Sequence, residues 1–156
     1  MILSNREIKD RKEIDEIIND SLICYVGSVD GDKPYVLPFN FAYDGSSIFL
    51  HSANAGKFHE VLDNNRNLCI TFNIENEVFY RHEHVACSWG MKYKSVIVRG
   101  KAEYVNDFDE KVKIMNMIMK KYAGKDDFTF NSPAIKNVKV ICIDITEVSG
   151  KKYGHA

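Results

Sequence analysis

The chain has 156 residues, 45% of them hydrophobic and 28% charged, the balance of a soluble globular protein; one domain is expected over residues 1–156. Its 21 basic and 22 acidic side chains leave a net charge of -1 and a pI near 6.5, which excludes the basic footprint of a nucleic-acid or anionic-membrane binder. No window has the length and apolarity of a membrane span or a signal-peptide core, so a cytoplasmic location is expected.

Residues 10–20, DRKEIDEIIND, set Ile14, Ile17 and Ile18 at helical spacing behind Asp10, with Glu13 three places later in the pattern of a capping box. Three apolar runs of strand length follow at residues 22–29, 35–43 and 47–53. Asp-Gly pairs ending at Gly31 and Gly45 separate them and predict tight hairpins, hence a three-strand antiparallel meander.

The third run leads into HSANAGKFHEVLDNN, residues 51–65. By alternation His51 shares a face with Phe49, whereas Leu50 and Ser52 face the other way. Lys57 then opens a short helix with apolar positions Phe58, Val61 and Leu62. A helix start offers unpaired backbone N–H groups and a positive dipole end, and Ser52 and Lys57 add a hydroxyl and a charge, which suits a phosphate monoester. A nucleoside triphosphate loop is disfavoured, because His51 stands where that pattern needs its first glycine and Phe58 follows the lysine. A plain turn with a solvated lysine accounts for the same residues. His51 likewise reads either as a structural strand histidine or as a functional group beside an anion site.

Residues 68–74, LCITFNI, alternate in the period-two pattern of a half-buried strand. HEHVAC supplies His82, His84 and Cys87, fewer than the four ligands of a closed zinc site; it is read as a polar loop, and no metal is expected. In the next strand, residues 94–105, Val96, Val98, Gly100, Ala102 and Tyr104 oppose Arg99, Lys101 and Glu103. Residues 107–124 form the strongest helix, with a start signal from Asp107 to Glu110 and a stop at Gly124. Phe108, Met115, Met119 and Tyr122 are expected on its buried side. A strand over residues 138–148 precedes a polar tail. Cys24, Cys69, Cys87 and Cys142 form no C-x-x-C pair and read as reduced core residues. Strands joined by tight turns, with few helices between them, predict a mainly β (α+β) antiparallel barrel. Neither G-x-G-x-x-G nor G-x-S-x-G appears, so Rossmann and α/β-hydrolase readings have no local support.

Taken together, KPYVLPFNFAYDGSSIFLHSANAGKFHEVLDNNRNLCITF and CSWGMKYKSVIVRGKAEYV resemble the pyridoxamine 5'-phosphate oxidase-like, FMN-binding split-barrel family. Within it they look most like the group containing the Nim-type 5-nitroimidazole resistance proteins. The most specific parts are P-Y-V-x-P-x-x-F, H-S-A-x-x-G-K and Y-x-S-V-I-V-x-G, and the likeness runs from about Ile14 to the last strand. It implies an antiparallel six-stranded split β-barrel with flanking helices, and a homodimer holding FMN at the subunit interface. Val36, Leu37, Pro38, Phe39 and Asn40 would face the flavin ring, and His51, Ser52, Gly56 and Lys57 would hold its phosphate. Tyr93, Ser95 and Val96 would border the cleft from across the dimer.

The implied activity is an FMN-dependent oxidoreductase, nitroreductase-like, passing electrons from a nicotinamide nucleotide to a small organic acceptor such as a nitroaromatic, with His51 as proton donor. SGKKYGHA at residues 149–156 does not match the side chains with which the oxidase proper grips pyridoxal phosphate, which argues against that substrate. Two alternatives stand beside this reading: a heme-binding or heme-degrading split barrel using His82, His84 or His51 as axial ligand, and a non-catalytic flavin-binding module.

Overall fold

The computed structural model describes residues 2–155. The chain opens with β1 (Glu7–Ile8), α1 (Arg11–Asp20), β2 (Cys24–Asp30), β3 (Lys33–Phe39), β4 (Ala42–Tyr43) and β5 (Ser47–Ala53). It continues with α2 (Lys57–Asn64), β6 (Asn67–Tyr80), a 3-10 turn (Ala86–Ser88), β7 (Trp89–Val105), α3 (Phe108–Ala123), α4 (Ser132–Asn137) and β8 (Val138–Tyr153). Among the described residues eight strands join one antiparallel sheet in the order β3-β2-β6-β7-β8-β5-β4, with β1 also paired to β8. The fold is thus mainly β with flanking helices, as expected. The strand count exceeds six because one run is broken in two and residues 7–8 add a short strand.

The break overturns the expected meander. β2 and β3 form one hairpin and β4 and β5 another, and the two lie at opposite ends of the sheet. The crossing is made at Asn40–Phe41. Phe41 is fully buried against Phe72, ring centroids 5.0 Å apart, and its N–H donates to the Tyr122 hydroxyl at 3.2 Å. Burying that ring, an apolar gain of about 1.5–3 kcal/mol, turns the chain inward where a continuous strand would have carried it past the core.

The hairpin turns take the expected glycines at positive φ, Gly31 at 66° and Gly45 at 97°. α1 buries Ile14, Ile17 and Ile18 against the barrel interior, and Asp10 caps it by accepting from Lys12 N–H. Glu13 does not complete a capping box; its carboxylate pairs with Lys152 Nζ at 2.9 Å, an ion pair that ties the helix to β8. α3 starts on Asp107 and stops on a left-handed Gly124 as predicted. Its buried stripe, however, is Lys111, Ile114 and Ile118, roughly 100° round from the expected one. Phe108 and Tyr122 stay more than a third exposed, since the outer surface of β5 and β8 meets the isoleucines. Lys111 buries its stem and donates to the Ile135 carbonyl of α4 at 2.9 Å.

β6, β7 and β8 all run further than predicted. β6 and β7 continue past a register shift between Ile74 and Glu77 as a long hairpin tipped by residues 81–88. The tail expected after residue 148 is instead strand, paired to β7 as far as Tyr93↔Tyr153. Of the four free cysteines only Cys24 is fully buried, and burial pushes its thiol up to about 12. Cys69 and Cys142 are half-buried, and Cys87 is exposed on the hairpin tip, contrary to the core reading.

Candidate functional site

One end of the barrel gathers the turn after β5, the start of α2 and the β2–β3 hairpin. Ser52 and Ala53 end β5, and the chain reaches α2 through Gly56, whose φ of 137° is a backbone state that L side chains rarely adopt. No side chain caps α2; the His59 N–H donates to the Gly56 carbonyl at 3.1 Å, and among the described residues the Lys57 and Phe58 N–H groups at the helix start have no acceptor. Lys57 Nζ lies 3.0 Å from the Asp30 carboxylate and 5.8 Å from the Tyr35 ring. That hydrogen bond to Asp30 raises the lysine pKa and keeps it charged. Phe58 packs on Phe39 at 5.0 Å between centroids, which joins α2 to β3.

β3 is an edge strand, bonded to β2 alone, so one side of its backbone is left for a ligand. Along it Leu37 and Phe39 pack on the core, whereas Val36, Pro38 and Asn40 face out, Val36 being 58% exposed. β3 and the start of α2 are thus joined through Phe39–Phe58 and Tyr35–Lys57, while the side chains of Val36, Pro38 and Asn40 lie on the opposite face of the sheet from Leu37 and Phe39.

The other expected residues do not join them within one chain. His51 shares a sheet face with Phe49, as alternation predicted, and its cross-strand partner is Val140, on the surface covered by α3. Ser52 is on the opposite, barrel-interior face, so the two side chains do not converge on one anion. His51 is half-buried with no hydrogen-bond partner for its ring among the described residues, and burial lowers its pKa from 6.5. Tyr93, Ser95 and Val96 sit toward the far end of β7; nine residues separate Ser95 from Tyr104, about 30 Å of strand. Val96 is fully buried in the core and presents no side chain to a cleft. Ser95 faces the other way, and its buried Oγ has no hydrogen-bond partner.

Residues unanticipated in the sequence complete the barrel end. His59 of α2 is buried between Ser52 and Tyr104, with Tyr104 flanked by Arg66 and Lys139, each 4.8 Å from its ring centre. Lys139 is also the cross-strand partner of Ser52. The sequence held a signal for this: His59 lies three residues before Leu62 on the buried side of α2, and Tyr104 alternates with buried Ala102. Hydroxyl, free amides and three cations suit a dianionic phosphate group.

At the far hairpin, His82 and His84 are exposed near Cys87. Among the described residues no group of three or more His, Cys, Asp or Glu side chains is placed to hold a metal ion. No helix among them is long and apolar enough to cross a membrane. Across the outer surface of the sheet, by contrast, Tyr25, Val29 and Val36 on β2 and β3 and Ile97 on β7 are 38–58% exposed, with Thr71 of β6 between Tyr25 and Ile97.

Residues 10–152 match the family model for pyridoxamine 5'-phosphate oxidase. Among solved structures, a candidate 5-nitroimidazole antibiotic resistance protein from Bacteroides thetaiotaomicron is 37% identical, with 94% of this chain and 86% of that one covered and a TM-score of 0.84. A flavocytochrome from Azotobacter vinelandii is 18% identical over 99% of this chain and 73% of its own, with a TM-score of 0.82. An FAD and heme binding protein from Mycobacterium smegmatis is 14% identical over 96% and 74%, with a TM-score of 0.83; these two share the fold. No curated protein matches significantly.

Proposed function

Because this chain belongs to the pyridoxamine 5'-phosphate oxidase family, we propose that it is a homodimeric FMN-binding oxidoreductase that reduces a small organic acceptor, a nitroaromatic in the first instance. The observation that carries this reading is the uncapped start of α2, with Ser52, Gly56 and Lys57 around it, set beside the open edge of β3. The donor set fits a flavin's phosphate, and the backbone groups of β3 that point away from β2 fit the hydrogen-bonding edge of its ring. FAD, named for a protein that shares the fold, would need places for a second phosphate and an adenosine beyond the single phosphate group assigned here.

Bound flavin would supply two-electron chemistry between a nicotinamide nucleotide and the acceptor. The chain's own residues bind and orient. The outer face of the sheet with exposed Tyr25, Val29, Val36 and Ile97 is the surface on which a second copy packs, and such a copy would carry Tyr93 and Ser95 to the flavin that they cannot reach in their own chain. His51 faces α3 on the side of β5 opposite Ser52, so within one chain it makes no contact with the site, and burial disfavours its charged form.

The test begins with the purified protein. A flavin absorbance spectrum, FMN released on denaturation, and oxidation of a nicotinamide nucleotide that depends on a 5-nitroimidazole support the proposal. A colourless protein that ignores added FMN overturns it. Bound FMN with no such turnover leaves a flavin-binding module and removes the enzyme.

A further inference from the structure

His59 is 8% exposed and has three partners. Its Nδ1 is 2.7 Å from the Tyr104 hydroxyl, and its Nε2 is 2.8 Å from both Ser52 Oγ and the Ala53 carbonyl oxygen. A carbonyl oxygen can only accept, so Nε2 carries a hydrogen. In the neutral imidazole Nδ1 is then bare and accepts from the Tyr104 O–H. Ser52 Oγ accepts from the shared Nε2–H, and its own hydrogen must go elsewhere. The Ala53 carbonyl, 3.3 Å away, is a weak destination; an anion at the start of α2 is a stronger one.

We infer that His59 is a positioning residue that holds the half-buried Ser52 hydroxyl as a hydrogen-bond donor to the ligand's phosphate. The Tyr104–His59–Ser52 chain thereby selects a phosphorylated flavin over the same flavin without phosphate. This rests on the assignment of the α2 start to the flavin phosphate. The geometry favours it because the Ala53 carbonyl fixes a hydrogen on Nε2: with a neutral ring Tyr104 donates to His59 and His59 donates to Ser52, whose own hydrogen then has the 3.3 Å Ala53 carbonyl or an outside acceptor to choose from.

The experiment titrates the full-length chain, freed of bound flavin, with FMN and with riboflavin, which differ by the phosphate alone. In the unaltered protein FMN binds more tightly. Ser52→Ala and His59→Asn are expected to weaken FMN about tenfold while leaving riboflavin within about twofold, the loss of one hydrogen bond to a charged group. His59→Gln, which places an N–H donor near the position of Nε2, restores the preference. A Ser52→Ala protein with an unchanged FMN-to-riboflavin ratio overturns the inference, as does equal weakening of both ligands in His59→Asn together with no recovery in His59→Gln. If the unaltered protein binds riboflavin and FMN alike, the phosphate assignment fails, and if it binds neither, the flavin reading itself fails; both results differ from failure of His59 alone.

Discussion

Gly100 faces β8 where the pairing of β7 and β8 shifts register, and a Cβ there would stand 2.3 Å from the Asp144 carbonyl oxygen and 2.7 Å from Ile143 Cγ2. A carbon tolerates an oxygen at about 3.3 Å, so Gly100→Ala must part the two strands by roughly 1 Å. The obstructing oxygen belongs to the backbone and cannot swing away as a flexible side chain would. Overpacking of this kind costs about 1–3 kcal/mol. For a domain of this size each kcal/mol moves the melting temperature by about 2–4 °C, so a fall of roughly 2–12 °C is expected by calorimetry or circular dichroism. The irregularity also places Thr146 as an extra residue, which puts Ser149 and Lys151 level with Ile97 and Ser95. A Gly100→Ala protein that melts within about 1 °C of the original would refute the view that close strand approach requires glycine here.

Tyr104→Phe removes the donor to buried His59 Nδ1, and thermal unfolding should register a loss of about 1–3 kcal/mol; an unchanged melting curve would mean that water replaces the hydroxyl at no cost. Because burial lowers the folded pKa of His51, the unfolded chain binds the proton more readily. Its contribution is therefore complete above pH 6.5 and declines as pH falls through that value toward the lower folded one, which denaturant titrations should show more weakly in His51→Gln. Thiol labelling of the native protein at pH 8 should modify exposed Cys87 first and leave Cys24, its thiol near 12, unreacted; early loss of Cys24 would contradict its burial. Val36→Glu or Ile97→Glu, each placing a charge on the outer face of the sheet, should shift the protein toward monomer in light scattering while its fold persists, and an unchanged mass would move the dimer surface elsewhere.

Features governed by local rules could be read directly from the residues. Asp107 and Gly124 bound α3 because capping and a left-handed stop depend on single side chains, and Gly31 and Gly45 turn the hairpins for the same reason. Features set by partners distant in sequence could not. Nothing local distinguishes residues 35–43 as one long strand from two short ones at opposite sheet edges; that is decided when Phe41 meets Phe72 and Tyr122. Spacing on α3 allows more than one apolar stripe, and the surface offered by β5 and β8 selects Ile114 and Ile118 over Phe108, Met115, Met119 and Tyr122. At the site, the Gly-Lys joint was legible as a helix start, yet the engagement of Ser52 with His59 and of Lys57 with Asp30 arises only after β2, α2 and β7 have met.

β8 is the last of these elements along the chain, and yet it lies inside the sheet, bonded to β7, β5 and β1. During synthesis β5 and β7 must therefore wait with an unfilled gap between them, each presenting an unsatisfied edge until residues 138–153 emerge. The sheet cannot close before residues 138–153 have emerged, even though α1, the β2–β3 hairpin and the β6–β7 hairpin can form as they appear. A nascent chain halted before β8 would be a species for chaperones to shield, and its lifetime, more than the stability of the finished barrel, would govern how much protein accumulates.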